Sequence, residues 1–462
     1  MPILSSKAVL ARFSRADDLV CRPVQTGKHT LTAYFIDGLT ASGMISEYII
    51  APLAALPPGS EEDAFAACLQ GKVCNAVAKP CEDLDALESF LVNGFCAVLF
   101  PSLGKAAVFE VKTGEKRAPS PPQVEPAVKG AKDAFTETNR TNTSLVRRHL
   151  RTANLQVEES VLGSISGTNV SLLSLRGITD PNLIELVRRR LQSLHGTAYV
   201  SPAVVEESLT GGRNTAFPLV QYTERTDKFC QGLLSGQVGV IVDGLPLGYL
   251  LPVDVGRFLS AQEDLSVDYL TASAVRIIRT TALLVSLLLP ALYIAMAQFA
   301  PSMIPTRLLE AIIRSKENVP FPTVLEVLGL LVAFELLQEA GLHLPRSVGH
   351  TVSILGGLVV GTAAVEANFI SPAALVVVAV AGICGYAMPG TDFADALRLW
   401  RFVLGVCAAV AGLYGFTLGL ICLAVHLGSL TSCGRPYLLP FSALRVGGVL
   451  LRRPFVKKSP KR

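Results

Sequence analysis

Hydrophobic and polar positions follow two regimes along this chain. Up to Arg279 they alternate and mix, whereas Thr280 to Leu427 contains long runs without an acidic or basic residue, so the change falls near residue 270. In the first regime, short apolar runs bounded by glycine read as strands. Leu31 to Ile36 ends at Asp37-Gly38, and Asn93-Gly94 precedes a hairpin of Phe95 to Phe100 with Lys105 to Val111. The same order returns later, with Val170 to Leu175 ending at Arg176-Gly177, the helix Pro181 to Leu194, then Ser235-Gly236 before a hairpin of Val238 to Val242 with Leu247 to Val253. Corresponding glycines are separated by 139 positions (38 to 177) and 140 positions (104 to 244). A duplicated α/β unit accounts for that spacing.

In the second regime, Thr281 to Phe299 is 19 residues without a charge, enough for about 30 Å of hydrocarbon at 1.5 Å per residue. Arg276 and Arg279 on its N-terminal flank predict a cytoplasmic start. Leu325 to Glu339 spans only about 22 Å and carries Glu326, Glu335 and Glu339, so it reads as re-entrant or interfacial. Those carboxylates are candidates for a pore mouth, or for plain exposure at the bilayer surface. Thr351 to Met388 predicts two helices joined near Glu366 to Pro372. The first carries Gly356, Gly357 and Gly361, which suit close helix packing; it also presents Val352, Leu355, Val359, Thr362 and Glu366 as candidate pore-lining residues. After a polar connection with Asp392, Asp395, Arg398 and Arg401, Phe402 to Leu427 predicts a last span.

The expected fold is therefore an α/β soluble N-terminal half of two related subdomains, followed by an all-α multi-pass membrane domain. The expected boundaries are residues 1–117 for the first subdomain and 118–137 for a Pro-rich linker, with Pro119, Pro121, Pro122 and Pro126. Residues 138–262 form the second subdomain, 263–440 the membrane helices and 441–462 a basic tail.

Composition agrees with a membrane half: 50% of residues are hydrophobic and 17% charged. The net charge of +4 argues against nucleic acid as a partner. The tail residues Arg445, Arg452, Arg453, Lys457, Lys458, Lys461 and Arg462 suit anionic membrane lipid or a solvated end. Arg140, Arg147, Arg148 and Arg151 read either as a solvated helix face or as a basic surface that meets a partner or the membrane. Ten cysteines without C-x-x-C spacing read as reduced packing residues. No phosphate-binding loop, nucleophile elbow or H-E-x-x-H motif is present, so the expectation is no enzyme, no catalytic residue, no metal and no cofactor.

Several phrases narrow this picture: TNRTNTSLVRRHLR at 138–151, FPLVQYTER at 217–225, VGVIVDGLP at 238–246, LLLPALYIAMAQF at 287–299, VPFPTVLEVL at 319–328 and LPRSVGHTVSILGGLVVGTAAVEANFISPA at 344–373. In these phrases the chain resembles the A-subunit (GerA) family of spore germination receptors, with the stage V sporulation protein AF type as its close paralogue. The resemblance implies an oligomeric, nutrient-gated ion channel in the spore inner membrane, its N-terminal domain in the spore core. The implied partners are a transporter-like B-subunit and a lipoprotein C-subunit. The alternatives it leaves are an amplifying channel of the paralogue type, or a non-conducting membrane scaffold.

Overall fold

The computed structural model describes residues 4–73, 75, 77–112, 122, 125, 129–192, 201–212, 214–343, 361–439 and 450–452. The chain forms two compact units, Met1–Arg213 with Val220–Val253, and Asn214–Leu219 with Asp254–Arg462.

The first unit contains two five-stranded antiparallel sheets of the same order. One runs β1-β2-β4-β5-β3, built from Leu19–Thr26 (β1), His29–Ile36 (β2), Ala78–Cys81 (β3), Phe95–Phe100 (β4) and Lys105–Glu110 (β5). The other runs β6-β7-β9-β10-β8, from Leu155–Leu162 (β6), Thr168–Leu175 (β7), Gln221–Thr223 (β8), Val238–Val242 (β9) and Gly248–Leu251 (β10). Paired glycines mark the duplication. Gly94 and Gly236 both hold positive φ, +82° and +85°, and each amide donates to a carbonyl in the helix before it. Glycine occupies that left-handed position without strain, and the chain can enter the central strand at once.

Helices cover both faces of the first sheet. Val9 and Phe13, in or next to Ser6–Arg12 (α1), and Leu87 and Leu91 of Leu84–Val92 (α3) pack on one face. Ile45, Ile49 and Leu53, with Cys68 of Glu61–Leu69 (α2), pack on the other. In the second repeat, Val146 of Asn139–His149 (α4) and Phe229, Cys230 and Leu233 of Thr226–Leu234 (α6) cover one face. Leu183, Ile184, Val187 and Leu191 of Pro181–Gln192 (α5) are buried as well. Gly239 and Gly248 are glycines for a local reason: a Cβ at either would lie 2.2 Å and 2.6 Å from the Phe229 ring.

Two arginines of α4, and Arg151 just beyond its end, are held by side chains of the first unit. Arg147 is buried, and its Nε and Nη2 donate to Asp18 at 2.7 Å each. Arg140 pairs with Asp37 at 3.1 Å and Glu159 at 2.7 Å. Arg151 donates to Asn93 at 3.1 Å. All three bind residues of the first repeat or the edge strand beside it, and a backbone bridge from Ala16 to Val157 runs alongside. The end of the stretch expected as a linker is also part of the fold: Phe135 lies in the core of the second repeat, its ring edge-on to Phe229 at 5.2 Å.

His149 and Asp133 form a titratable contact here, Nε2 to Oδ2 at 2.7 Å, with Thr226 Oγ1 3.2 Å from the same nitrogen. The hydrogen bond from His149 holds the Asp133 carboxyl down to about 2, and the bond to Asp133 pushes the imidazole above its ordinary value of 6.5. The carboxylate stays ionised across the neutral range, so the pH dependence belongs to His149. Because the folded state binds the imidazole proton more tightly, this stabilisation is complete below pH 6.5 and is lost as pH rises through the raised value. The melting temperature of the parent should exceed that of His149→Gln at pH 6, and the gap should close towards pH 9. A constant gap would show that the contact is not ionic.

Candidate functional site

The second unit is helical. Its long elements are Tyr269–Phe299 (α7), Thr306–Lys316 (α8), Thr323–His343 (α9), Pro372–Gly385 (α10) and Thr391–Ser429 (α11). Two of them, α7 and α11, are long and apolar enough to cross a membrane. The first begins three turns before the predicted Thr281, and its early Arg276 and Arg279 pair with buried Asp264 at 2.8 and 3.2 Å. The helix α9 is 21 residues long, roughly 30 Å, against the 15 residues of Leu325 to Glu339 expected from the sequence.

The largest correction concerns α11. Asp392, Asp395, Arg398 and Arg401 are not a connection but the first turns of this helix. Phe402 to Leu427 is not one span either. Ala411 and Gly412 leave helical geometry, Gly412 at φ +59° and ψ −135°. Trp400 and His426 then lie 5.6 Å apart, ring to ring, where 26 residues of straight helix would separate them by about 39 Å. The helix is a tight antiparallel hairpin. Its tip meets Phe299 at the end of α7, since a Cβ on Gly412 would lie 2.7 Å from that ring. At its open end, Phe217 packs against Phe393, Trp400 and His426, while Thr215 Oγ1 lies 3.0 Å from His426 Nε2. Val410, Tyr414, Leu418, Ile421 and Val425 remain exposed along the hairpin.

Besides the Asp264 cluster, charged groups of this unit gather in two further places. Glu326 has a fully buried side chain. Its Oε2 accepts the Ser371 amide at 2.9 Å and so caps α10, where the positive end of the helix dipole favours a carboxylate. Lys316 Nζ, at the end of α8, lies 3.0 Å from Oε1 and donates to Thr323 Oγ1 at 2.5 Å. Tyr293 of α7 is in electrostatic range of Glu326 and of the Ser371 side chain. The second group joins α9 to the hairpin. Arg398 Nη1 donates to Glu335 at 2.7 Å and Gln338 at 2.5 Å, and Arg398 also pairs with Asp395. Arg401, one turn on, is 4% exposed, and its Nε has no hydrogen-bond partner. Buried charge is costly unless paired.

The predicted site residues divide accordingly. Glu326 is buried rather than exposed at a surface, where α9 meets residues of α7, α8 and the start of α10. Glu335 is half-buried in an ion pair, and Glu339 is exposed. Gly361 is buried against Leu375, with a distance of 3.6 Å from its would-be Cβ, ordinary contact. Thr362 and Glu366 are exposed on the same helical turns. Val352, Leu355, Gly356, Gly357 and Val359 lie outside the described residues. Sequence reading missed Tyr293, Lys316 and Ser371, and took Arg401 for part of a connection. A signal was present for two of them, since Tyr293 and Ser371 sit in separate phrases of the family resemblance, and the Glu326 phrase is a third.

The profile of the Bacillus/Clostridium GerA spore germination protein family matches residues 7–462. The chain belongs to the GerA family. It is 35% identical over 446 residues to spore germination protein KA of Bacillus subtilis, covering 95% of this chain and 82% of that one. It is 30% identical to spore germination protein A1 of the same organism, over 98% and 94% of the two chains. An uncharacterized membrane protein of B. subtilis, YfkQ, is 31% identical over 91% and 82%. The crystal structure of the N-terminal domain of the A subunit of the Bacillus megaterium germinant receptor GerK3 aligns at 20% identity with TM-score 0.41, over 53% of this chain and 91% of that one. In this GerA-family chain, the three phrases that meet at Glu326 come from α7, α9 and the start of α10.

Proposed function

We propose that this GerA-family chain is the A-type subunit of a spore germinant receptor. Copies of it assemble into a nutrient-gated ion channel in the spore inner membrane, beside a transporter-like B-subunit and a lipoprotein C-subunit. In this reading α7, α9 and both arms of α11 lie in the bilayer, the first unit faces the spore core, and the chain carries out no catalysis. What supports it most is the set of charged groups carried by the apolar helices α9 and α11, Glu326, Glu335, Arg398 and Arg401, with Lys316 of α8 paired to Glu326. Intramembrane charge is retained for ion pathways and their gating.

Two measurements test the reading. Purified protein in potassium-loaded liposomes should release the ion above the background of empty liposomes; no release under any nutrient or partner condition would leave the scaffold reading. Spores carrying Val359→Ala should release potassium without nutrient. Normal dormancy with a normal nutrient response would move the gate away from Val359.

A further inference from the structure

The junction at Glu326 brings together oxygen atoms and a single movable cation. Glu326 Oε1 is inaccessible to water and contacts Lys316 at ion-pair distance without a hydrogen bond. The Tyr293 hydroxyl is likewise buried, beside the Ser371 side chain. Thr323 Oγ1 completes the group by taking the Lys316 ammonium. A buried oxygen left without a hydrogen bond is destabilising. A hard cation takes oxygen ligands of this kind, a carboxylate together with neutral oxygens.

We infer that Glu326, Thr323 and Tyr293 form a monovalent-cation site that the chain fills with the ammonium of its own Lys316. One carboxylate in apolar surroundings matches one positive charge, which favours a potassium- or sodium-like ion over a divalent one. Lys316 is the last residue of α8, and its side chain is about a quarter exposed. Its flexible four-carbon stem can withdraw without disturbing the Ser371 cap. Once it leaves, Glu326 requires another cation, because an uncompensated buried carboxylate is strongly unfavourable. The inference deepens the channel reading by naming a place where a permeant ion competes with a tethered one.

The test is binding rather than flux, so its failure is distinguishable from failure of the channel reading. Full-length protein in detergent is melted in potassium chloride and in choline chloride at equal ionic strength. Lys316→Met should melt on the order of 3 °C higher in potassium than in choline, the parent should differ far less, and Lys316→Met with Glu326→Gln should lose the difference. Equal melting of Lys316→Met in the two salts would overturn the site. Should that variant fail to fold, the parent decides: potassium, but not choline, should accelerate acylation of Lys316 relative to Lys112, read by peptide mass spectrometry. An unchanged ratio would overturn the inference equally.

Discussion

Replacing Gly415 by alanine is expected to be the most damaging single methyl addition in the helical unit. A Cβ at this position would lie 1.9 Å from the carbonyl oxygen of Cys407 and 2.8 Å from its carbon, both backbone atoms of the opposing arm. A flexible side chain could move aside; a helix backbone moves only if the arms part. Ordinary overpacking costs about 1–3 kcal/mol, and here relief requires opening the hairpin, so a loss above about 4 kcal/mol is expected. Gly412→Ala should follow, through a strained φ of +59° and a clash of 2.7 Å with the Phe299 ring, about 1–3 kcal/mol from the backbone alone. Gly419→Ala should be mildest, since it meets the end of the Leu404 side chain at 2.9 Å. Melting of the three variants, with disulfide formation between Trp400→Cys and His426→Cys as a readout of closure, checks the order. If Gly415→Ala melts with the parent and still cross-links, the arms do not meet backbone to backbone.

That hairpin was the least legible part of the chain. Residues 402 to 427 are apolar on every side, and a run that is uniform around its circumference carries no periodicity to reveal a reversal. The information lay instead in small residues. Gly405, Gly412, Gly415 and Gly419 recur where one helix meets another, and only Gly412 has a conformation that other residues avoid. The soluble repeats were legible for the opposite reason. Their strands are short, their ends are fixed by glycines with positive φ, and the two copies show the same order of signals, so Leu31 to Ile36 and Val170 to Leu175 appear inside β2 and β7. Charge pairing was legible in neither half. The Glu326 carboxylate binds Ser371, 45 positions away, and α4 looked like a basic surface because its acidic partners lie elsewhere in the sequence. Pattern reports what a local segment needs to bury, and it carries no record of which distant group satisfies a charge.

The Asp18–Arg147 pair offers the second large effect, and it bears on how the two repeats act as one body. Asp18 precedes β1 and Arg147 lies in α4, 129 positions apart, and each side chain is 1% exposed. Two bonds of 2.7 Å run to Asp18, and Nη1 reaches the Thr152 carbonyl at 3.3 Å. Removing either partner strands the other as an unpaired charge, a loss of about 3–5 kcal/mol, whereas replacing both with apolar groups of similar size is near neutral. Arg147→Met and Asp18→Leu should each therefore destabilise the first unit strongly, and the double variant should recover most of the loss. Hydrogen exchange on full-length protein should register the single variants as lost protection in β1 and β6, the strands beside the Ala16–Val157 bridge. Equal protection in parent and single variants would mean that the bridge and the exposed pairs of Arg140 hold the repeats together without this one. If instead the double variant stays as weak as the singles, the pair supplies geometry that apolar packing cannot replace, and the repeats are joined by the directionality of the guanidinium rather than by burial.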